Sequence, residues 1–203
     1  MLYLYLTRHG ETIWNTQSRM QGRQDSPLTA NGLQQAADLA RQLQDVPLDR
    51  VWTSPAPRAV RTAEIVIAAQ PRPVALQIDE RIQEMALGDW EGLSVAEASA
   101  SDPENLQAFM YQPEQFQPVG AGESFRQVSD RMAEFLEMLS AAAKLCRESA
   151  TDRYFLVISH NITLKALFAL MENRPLAMLR DGPPIQQATL YLATFEDSWA
   201  IKG

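Results

Sequence analysis

Short apolar runs alternate along the chain with segments in which apolar residues recur every three or four positions. The apolar runs predict strands at residues 1–7, 49–53, 74–78, 154–159, 189–195 and 199–201. The periodic segments predict helices at residues 29–43, 54–68, 93–100, 124–146 and 163–171. Strands that alternate with helices pack as a mostly parallel sheet with helices on both faces. We therefore expect a three-layer α/β/α fold.

The predicted helices carry recognisable start signals. Thr29 and Ser54 stand where N-capping side chains are favoured, and Pro55 would then occupy the first helical position. The longest periodic segment begins after Ser124 and steps by three and four residues to Cys146. This helix should pack along the sheet, which makes Cys146 a buried structural thiol.

The segment from about 93 to 123 has a different composition. Between residues 101 and 122 it contains three prolines, two glycines and three aromatic residues: Pro103, Pro113, Pro118, Gly120, Gly122, Phe109, Tyr111 and Phe116. Prolines and glycines at this density are typical of loops. We interpret 93–123 as a small lid or insertion and not as a core element.

Composition and charge narrow the class of protein. With 203 residues, 46% hydrophobic and 21% charged, the chain can bury one core, so we expect a single domain over 1–203. The net charge of −7 argues against nucleic acid or an anionic membrane surface as the partner. One cysteine and the lack of an 18-residue apolar run favour a reducing, cytoplasmic location.

The two histidines of the chain each follow a predicted buried strand. His9 ends the first strand and His160 ends the strand at 154–159, so parallel strands would bring both rings to one edge of the sheet. Either histidine alone is more often an ordinary structural residue. Arg8 precedes the first, and Arg58 falls in the first turn of the next helix. Guanidinium groups and helix N-termini bind phosphate, so the residues predict a phosphate site.

Several blocks of sequence resemble the histidine phosphatase superfamily, which includes the cofactor-dependent phosphoglycerate mutases. They are residues 6–12 (LTRHGET) with Asn15, 22–29 (GRQDSPLT), 54–63 (SPAPRAVRTA), Glu84 with 88–92 (GDWEG), 122–124 (GES) and 157–160 (VISH). They stand in the family's order through about residue 170, so the resemblance covers nearly the whole chain. Asn161 departs from the glycine that the family commonly has, but asparagine tolerates a left-handed backbone there.

The resemblance implies a phosphoglycerate mutase-like fold and a histidine phosphatase-type phosphomonoesterase that needs no metal or other cofactor. His9 would attack phosphorus to form a phosphohistidine, and Glu84 would act as general acid and base. The residues that would compensate charge or bind phosphate and substrate are Arg8, Asn15, Gln21, Gly22, Arg58, His160 and Asn161. The expected partner is a small phosphorylated metabolite, and a homodimer is one option for the assembly.

Phosphatase and mutase activities remain alternatives within the family. A mutase must hold a carboxylate and a second phosphate, yet residues 82–125 contain no lysine or arginine. A lid without cations favours a less anionic leaving group and hence hydrolysis. Arg23 could still supply a cation from another loop, so the mutase stays open.

Two further readings lie outside this mechanism. A metal-dependent phosphoesterase would use His9 and His160 as ligands, but the sequence has neither a His-x-His pair nor spaced cysteines. A non-catalytic phosphoprotein-binding module would keep the phosphate pocket without turnover. Binding alone would not need a nucleophile together with a general acid.

Overall fold

The computed structural model describes residues 1–202, and within them a six-stranded sheet forms the centre of the fold. The strands are β1 (Leu2–Arg8), β2 (Arg50–Thr53), β3 (Ala75–Ile78), β4 (Arg153–Ser159), β5 (Tyr191–Phe195) and β6 (Trp199–Lys202). They lie in the order β3-β2-β4-β1-β5-β6. The first four strands of that order are parallel. Strand β5 pairs antiparallel with β1, and β6 pairs antiparallel with β5, so β6 again runs in the direction of β1. The predicted mostly parallel sheet is confirmed.

Helices cover both faces of this sheet. They are α1 (Ile13–Thr16), α2 (Ala30–Leu43), α3 (Pro57–Ala68), α4 (Val95–Ser101), α5 (Pro103–Tyr111), α6 (Phe125–Glu148) and α7 (Asn161–Met171). On one face, α2 and α3 pack against Val51 and Leu156. On the other, α6 and α7 pack against Leu6 and Val157. Neighbouring residues of β4 thus serve opposite cores, which confirms the three-layer fold.

The long helix α6 has 24 residues, with Cys146 buried near its end as predicted. In residues 1–202 we find no helix with both the length and the apolar character needed to cross a membrane.

One of the two predicted helix caps is confirmed and the other is wrong. Thr29 caps α2, since its hydroxyl accepts a hydrogen bond from the Gly32 amide at 2.9 Å. Helix α3 instead begins at Pro57, after Ala56, without a side-chain cap. Proline suits this first position because its missing N–H would have had no helical partner. The Ser54 hydroxyl lies in the candidate site described below.

The segment 93–123 is less separate from the core than its composition indicates. Phe109 and Phe116 are only 4% exposed each, and their ring centroids lie 5.5 and 5.6 Å from that of Phe125. Trp90 completes this aromatic cluster. The sequence-based interpretation of the segment as not a core element is wrong for these two rings, because they extend the core beside α6. Tyr111 is exposed. That the segment acts as a lid stays a prediction.

Two glycines have a backbone conformation that favours glycine, but only one of them is also in close contact with its surroundings. Gly88 and Gly182 both have positive φ, +57° and +75°. A Cβ at Gly88 would collide with the Val119 carbonyl oxygen, whereas one at Gly182 meets nothing within 4 Å. We predict that Gly88→Ala lowers the free energy of unfolding by about 1–3 kcal/mol more than Gly182→Ala, as measured by urea denaturation. An equal loss of unfolding free energy in the two variants would show that the contact with Val119 adds no cost to the substitution at Gly88.

Candidate active site

The two histidines lie side by side at the carboxyl edge of the sheet. Strands β1 and β4 pair in parallel with Arg8 opposite Ser159, so both strands end together. The His9 amide donates to the Ser159 carbonyl oxygen at 3.1 Å. The ring centroids of His9 and His160 are 5.1 Å apart, and both residues are buried.

The backbone fixes the tautomer of His9. Its Nδ1 lies 2.7 Å from the Gly10 carbonyl oxygen, which can only accept a hydrogen bond. Nδ1 therefore carries the proton, and Nε2 keeps a lone pair that faces the Arg58 Nε–H at 3.3 Å. Burial, and then the charges of Arg8 and Arg58, hold the pKa of His9 well below its usual value. His9 is thus neutral at neutral pH, with its nucleophilic atom defined.

Arg58 is 2% exposed, and its guanidinium donates to several acceptors at once. Nη1 donates to the Gln24 carbonyl oxygen at 2.8 Å and to Asp25 Oδ1 at 3.0 Å. Nη2 donates to the Gly22 carbonyl oxygen at 2.8 Å and lies 3.4 Å from His160 Nδ1. A fork with this many partners has little freedom, so the group is fixed beside both histidines.

The loop that supplies these carbonyl groups is itself held by Glu91. The Glu91 carboxylate accepts from the Arg23 and Gln24 amides at 2.9 Å each and from the Leu87 amide at 3.0 Å. Gly22 has a φ of +56°, and a Cβ there would meet that carboxylate. Glu91 therefore shapes the loop, and its oxygen atoms are already engaged by backbone amides.

His160 is oriented by Ser54. Its Nε2 lies 2.7 Å from the Ser54 hydroxyl, and its Nδ1 faces Arg58 Nη2, which can only donate. Nε2 therefore carries the proton and donates it to Ser54. Burial, followed by Arg58 and His9, holds the pKa of His160 well below its usual value. The sequence predicts a helix cap at Ser54 and misses this role, because a serine before proline also fits a cap.

Glu84 lies against the N-terminus of α7. Its Oε1 accepts from the Thr163 amide at 3.2 Å, and its Oε2 accepts from the Ile162 amide at 3.3 Å. The Thr163 hydroxyl donates to the Gln83 carbonyl oxygen at 2.6 Å. By contrast, Glu11 accepts from the Thr29 hydroxyl at 2.7 Å. Among residues 1–202, Glu84 is the only acidic residue on the wall of the cavity at this edge.

That cavity has a volume of about 240 Å³. Eight of the nine predicted site residues line it: Arg8, His9, Asn15, Gln21, Gly22, Arg58, Glu84 and Asn161. His160 lies behind the wall, against His9 and Arg58. Apolar side chains, including Leu106, Phe109 and Met110, form another part of the wall. The fold thus brings together predicted site residues that lie far apart in the sequence.

Two buried donors on the cavity wall have no partner within residues 1–202. They are Arg8 Nε and Gln21 Nε2. Arg8 is otherwise held by its Nη1, which donates to the Ile185 carbonyl oxygen at 3.0 Å. Burial lowers the pKa of Arg8, while Glu84 opposes that shift. Buried donors without acceptors are costly, so a ligand with several acceptor oxygens fits this wall.

The side chains of Asn15 and Asn161 are fixed through their oxygen atoms. Asn15 Oδ1 accepts from the Thr12 amide at 3.0 Å, and Asn161 Oδ1 accepts from the Ile185 amide at 2.8 Å. Asn161 begins α7 and does not have the left-handed backbone expected from its replacement of glycine. Its amide group instead bonds to a distant loop.

Two arginines on the cavity wall were missed by the sequence analysis, namely Arg19 and Arg180. The Arg180 guanidinium lies over the Phe109 ring, 4.7 Å from its centroid. The cavity wall therefore carries cations from outside residues 82–125, although that segment itself contains none. Arg23, considered as an extra cation, pairs with Glu123 at 3.1 Å and is not among the lining residues.

Among residues 1–202, no group of three or more His, Cys, Asp or Glu side chains could hold a metal ion.

The buried neutral histidines predict a specific acid sensitivity. Both take a proton near pH 6.5 in the unfolded chain but only at lower pH when folded. Below pH 6.5 the unfolded state binds more protons, so each histidine should lower the free energy of unfolding by about 1.4 kcal/mol per pH unit. In urea denaturation between pH 7 and 5, the free energy of unfolding should fall less steeply for His160→Gln than for the wild type. Ser54→Ala, which keeps both histidines, is the control and should retain the wild-type slope; identical slopes for all three proteins would contradict the account.

Comparisons with known proteins agree with this geometry. The family model described as histidine phosphatase superfamily (branch 1) matches residues 4–202. The protein named probable phosphoglycerate mutase GpmB from Escherichia coli O1:K1 is 33% identical over 175 residues, covering 86% of this chain and 77% of that protein.

Two solved structures are similar over almost the full length. YhfR from Bacillus stearothermophilus has 35% identity and a TM-score of 0.85, covering 99% of this chain and 95% of that one. The alpha-ribazole phosphatase from Shigella flexneri has 28% identity and a TM-score of 0.83, covering 98% of this chain and 94% of that one. The chain belongs to the histidine phosphatase superfamily, branch 1, a family of phosphatases and phosphoglycerate mutase-like enzymes.

Proposed function

We propose that the protein hydrolyses phosphomonoesters of small metabolites in two steps, through a phosphohistidine on His9. The observation that carries this proposal is the lone pair of His9 Nε2, which lies 3.3 Å from Arg58 Nε in a cavity that Arg8 also lines. A neutral nucleophile near two cations attracts a phosphate dianion and can attack it.

In the first step, His9 Nε2 attacks phosphorus in line with the leaving oxygen, and the phosphorus–oxygen ester bond breaks. Phosphoryl transfer spreads negative charge over three oxygens, so fixed N–H donors supply most of the catalysis. Arg8 Nε, which has no partner within residues 1–202, is available to donate to those oxygens. The positive charge of Arg58 lies beside His9 Nε2 and would compensate part of the negative charge. A phosphoryl dianion beside His160 would also favour the protonated form of that ring.

Glu84 is proposed to handle the proton. The leaving alkoxide takes a proton from the Glu84 carboxyl group and departs as an alcohol. A water molecule then gives its proton to the Glu84 carboxylate as its oxygen attacks the phosphohistidine, which releases phosphate and free His9. Glu84 suits both steps because its position on the cavity wall is fixed by Thr163 and Ile162.

A phosphoglycerate mutase is the second candidate. The cations Arg180 and Arg19 on the wall support it, as does the likeness to the protein named GpmB. Hydrolysis is supported by the likeness to the alpha-ribazole phosphatase and by the apolar part of the wall, where Leu106 and Met110 offer no groups for a second phosphate. Phosphate release without interconversion of 3- and 2-phosphoglycerate would separate the two.

The covalent intermediate can be trapped directly. Rapid acid-free quenching with a ³²P-labelled phosphomonoester should give one acid-labile, base-stable phosphoryl group on the wild type, with the label mapped to His9. His9→Gln should carry no label, because it lacks the nucleophilic nitrogen. His160→Gln is the matched control and should still be labelled, though more slowly. Label on His9→Gln would refute the assignment.

The role of Glu84 predicts a dependence on the leaving group. Glu84→Gln should lower kcat/KM for an alkyl phosphate by about 100-fold or more, since an alkoxide leaves poorly without a proton. For p-nitrophenyl phosphate the loss should be below about tenfold, because that phenolate leaves unaided. Steady-state kinetics on both esters provide the measurement. Equal losses on the two esters would remove Glu84 from the proton-transfer role.

A further inference from the structure

Arg180 is a cation on the cavity wall that the proposed hydrolysis does not use. Within residues 1–202, no carboxylate oxygen lies within 4.0 Å of its guanidinium. Its face stacks on Phe109 at 4.7 Å, and one nitrogen contacts Met110 Sδ, a weak acceptor, at 3.3 Å. Stacking occupies the flat face and leaves the in-plane N–H groups for other partners. Burial lowers the pKa of Arg180, so the charge is held there at a cost.

The backbone of Arg180 is fixed by a buried lysine. Lys165 on α7 is 6% exposed, and its ammonium donates to three successive carbonyl oxygens, those of Arg180 at 2.8 Å, Asp181 at 3.0 Å and Gly182 at 2.8 Å. An ammonium group has three N–H donors, so this set of acceptors matches it. A buried charge that satisfies three carbonyl groups at one turn is a strong constraint on that turn.

The segment that follows is tied to the phosphate-binding residues. Ile185 bonds through its amide to Asn161 Oδ1 at 2.8 Å and through its carbonyl oxygen to Arg8 Nη1 at 3.0 Å. The Ala188 amide then donates to the Arg8 carbonyl oxygen at 2.9 Å. The strap, residues 180–188, is therefore anchored at its start by Lys165 and further along by Arg8. The separation of Arg180 from the phosphate donors is set by these anchors.

We propose that Arg180 is a specificity-determining residue, which binds an anionic group on the leaving alcohol of the substrate, and that Lys165 is its positioning residue. The proposal rests on the proposed function of the same cavity. It replaces the expectation of a weakly anionic leaving group, which was drawn from the lack of cations in residues 82–125. The reacting phosphate lies at Arg8 and Arg58, and the second negative charge lies at Arg180.

Matched acids and amides test this assignment. We would use 2-phosphoglycolate, 3-(phosphonooxy)propanoate and 4-(phosphonooxy)butanoate, each against its carboxamide, so that three chain lengths probe the reach to Arg180. At the best length, kcat/KM for the acid should exceed that for the amide by about tenfold, since an ion-paired hydrogen bond replaces a neutral one. Arg180→Gln should bring the acid-to-amide ratio of kcat/KM close to one, and Arg180→Lys should give a ratio between that of Arg180→Gln and that of the wild type.

A binding measurement separates this proposal from the proposed function. With His9→Ala, which cannot turn over, calorimetry should give a Kd for the acid about tenfold lower than for the amide, and adding Arg180→Gln should make the two equal. If the acid preference in binding is present but the wild type releases no phosphate, the proposed function fails and this assignment stands. Equal binding of acid and amide at every length, or a preference that survives Arg180→Gln, overturns the assignment.

The positioning role of Lys165 has its own readout. Lys165→Met should lower the acid-to-amide ratio of kcat/KM, whereas Lys165→Arg should restore part of it because a cation again meets the three carbonyl groups. If Lys165 only stabilised the fold, its substitution would lower kcat/KM for the acid and the amide equally and leave their ratio unchanged. That result would overturn the role of Lys165, and thermal unfolding of each variant shows how much of any loss comes from the fold.

Discussion

A buried guanidinium with all of its donors directed at fixed acceptors is the constraint on which this site depends. Arg58 reaches His9 with Nε and His160 with Nη2, and its remaining bonds go to the loop that contains Gly22 and Asp25. Leaving such a group unpaired inside a protein is very costly. The fold must therefore bring two strand ends and one loop to the same point, and that point is where a phosphate can be bound.

Other residues of the site act by holding the groups that touch the cavity. Ser54 orients His160, Glu91 shapes the loop that supports Arg58, and Lys165 fixes the turn at Arg180. Their hydrogen bonds involve backbone amides, backbone carbonyl groups or a neighbouring ring. This explains why sequence blocks far from the histidines are needed for a single phosphate site, since each supplies a support that the reacting groups cannot provide themselves.

The edge where the histidines meet could be predicted because it follows from a general property of parallel sheets. His9 and His160 both end apolar strands, and the pairing of β1 with β4 places them together. Arg180 could not be predicted in the same way, since it lies in an irregular segment that no periodicity or motif marks. The sequence predicts that Phe109 lies in a lid or insertion because prolines and glycines dominate the composition of that segment, whereas its ring packs on Phe125. Packing across distant segments leaves no local pattern in a sequence.

The proposed reaction requires His9 Nε2 to act as the nucleophile in the cavity lined by Arg8 and Arg58. The decisive measurement is a crystal structure of the protein with orthovanadate, because vanadate adopts the five-coordinate geometry of phosphoryl transfer. We expect vanadium bonded to His9 Nε2, with equatorial oxygens near Arg8 and Arg58 and an apical oxygen directed at Glu84. Vanadate bound elsewhere, or held in this cavity without a bond to His9, would show that His9 is not the nucleophile.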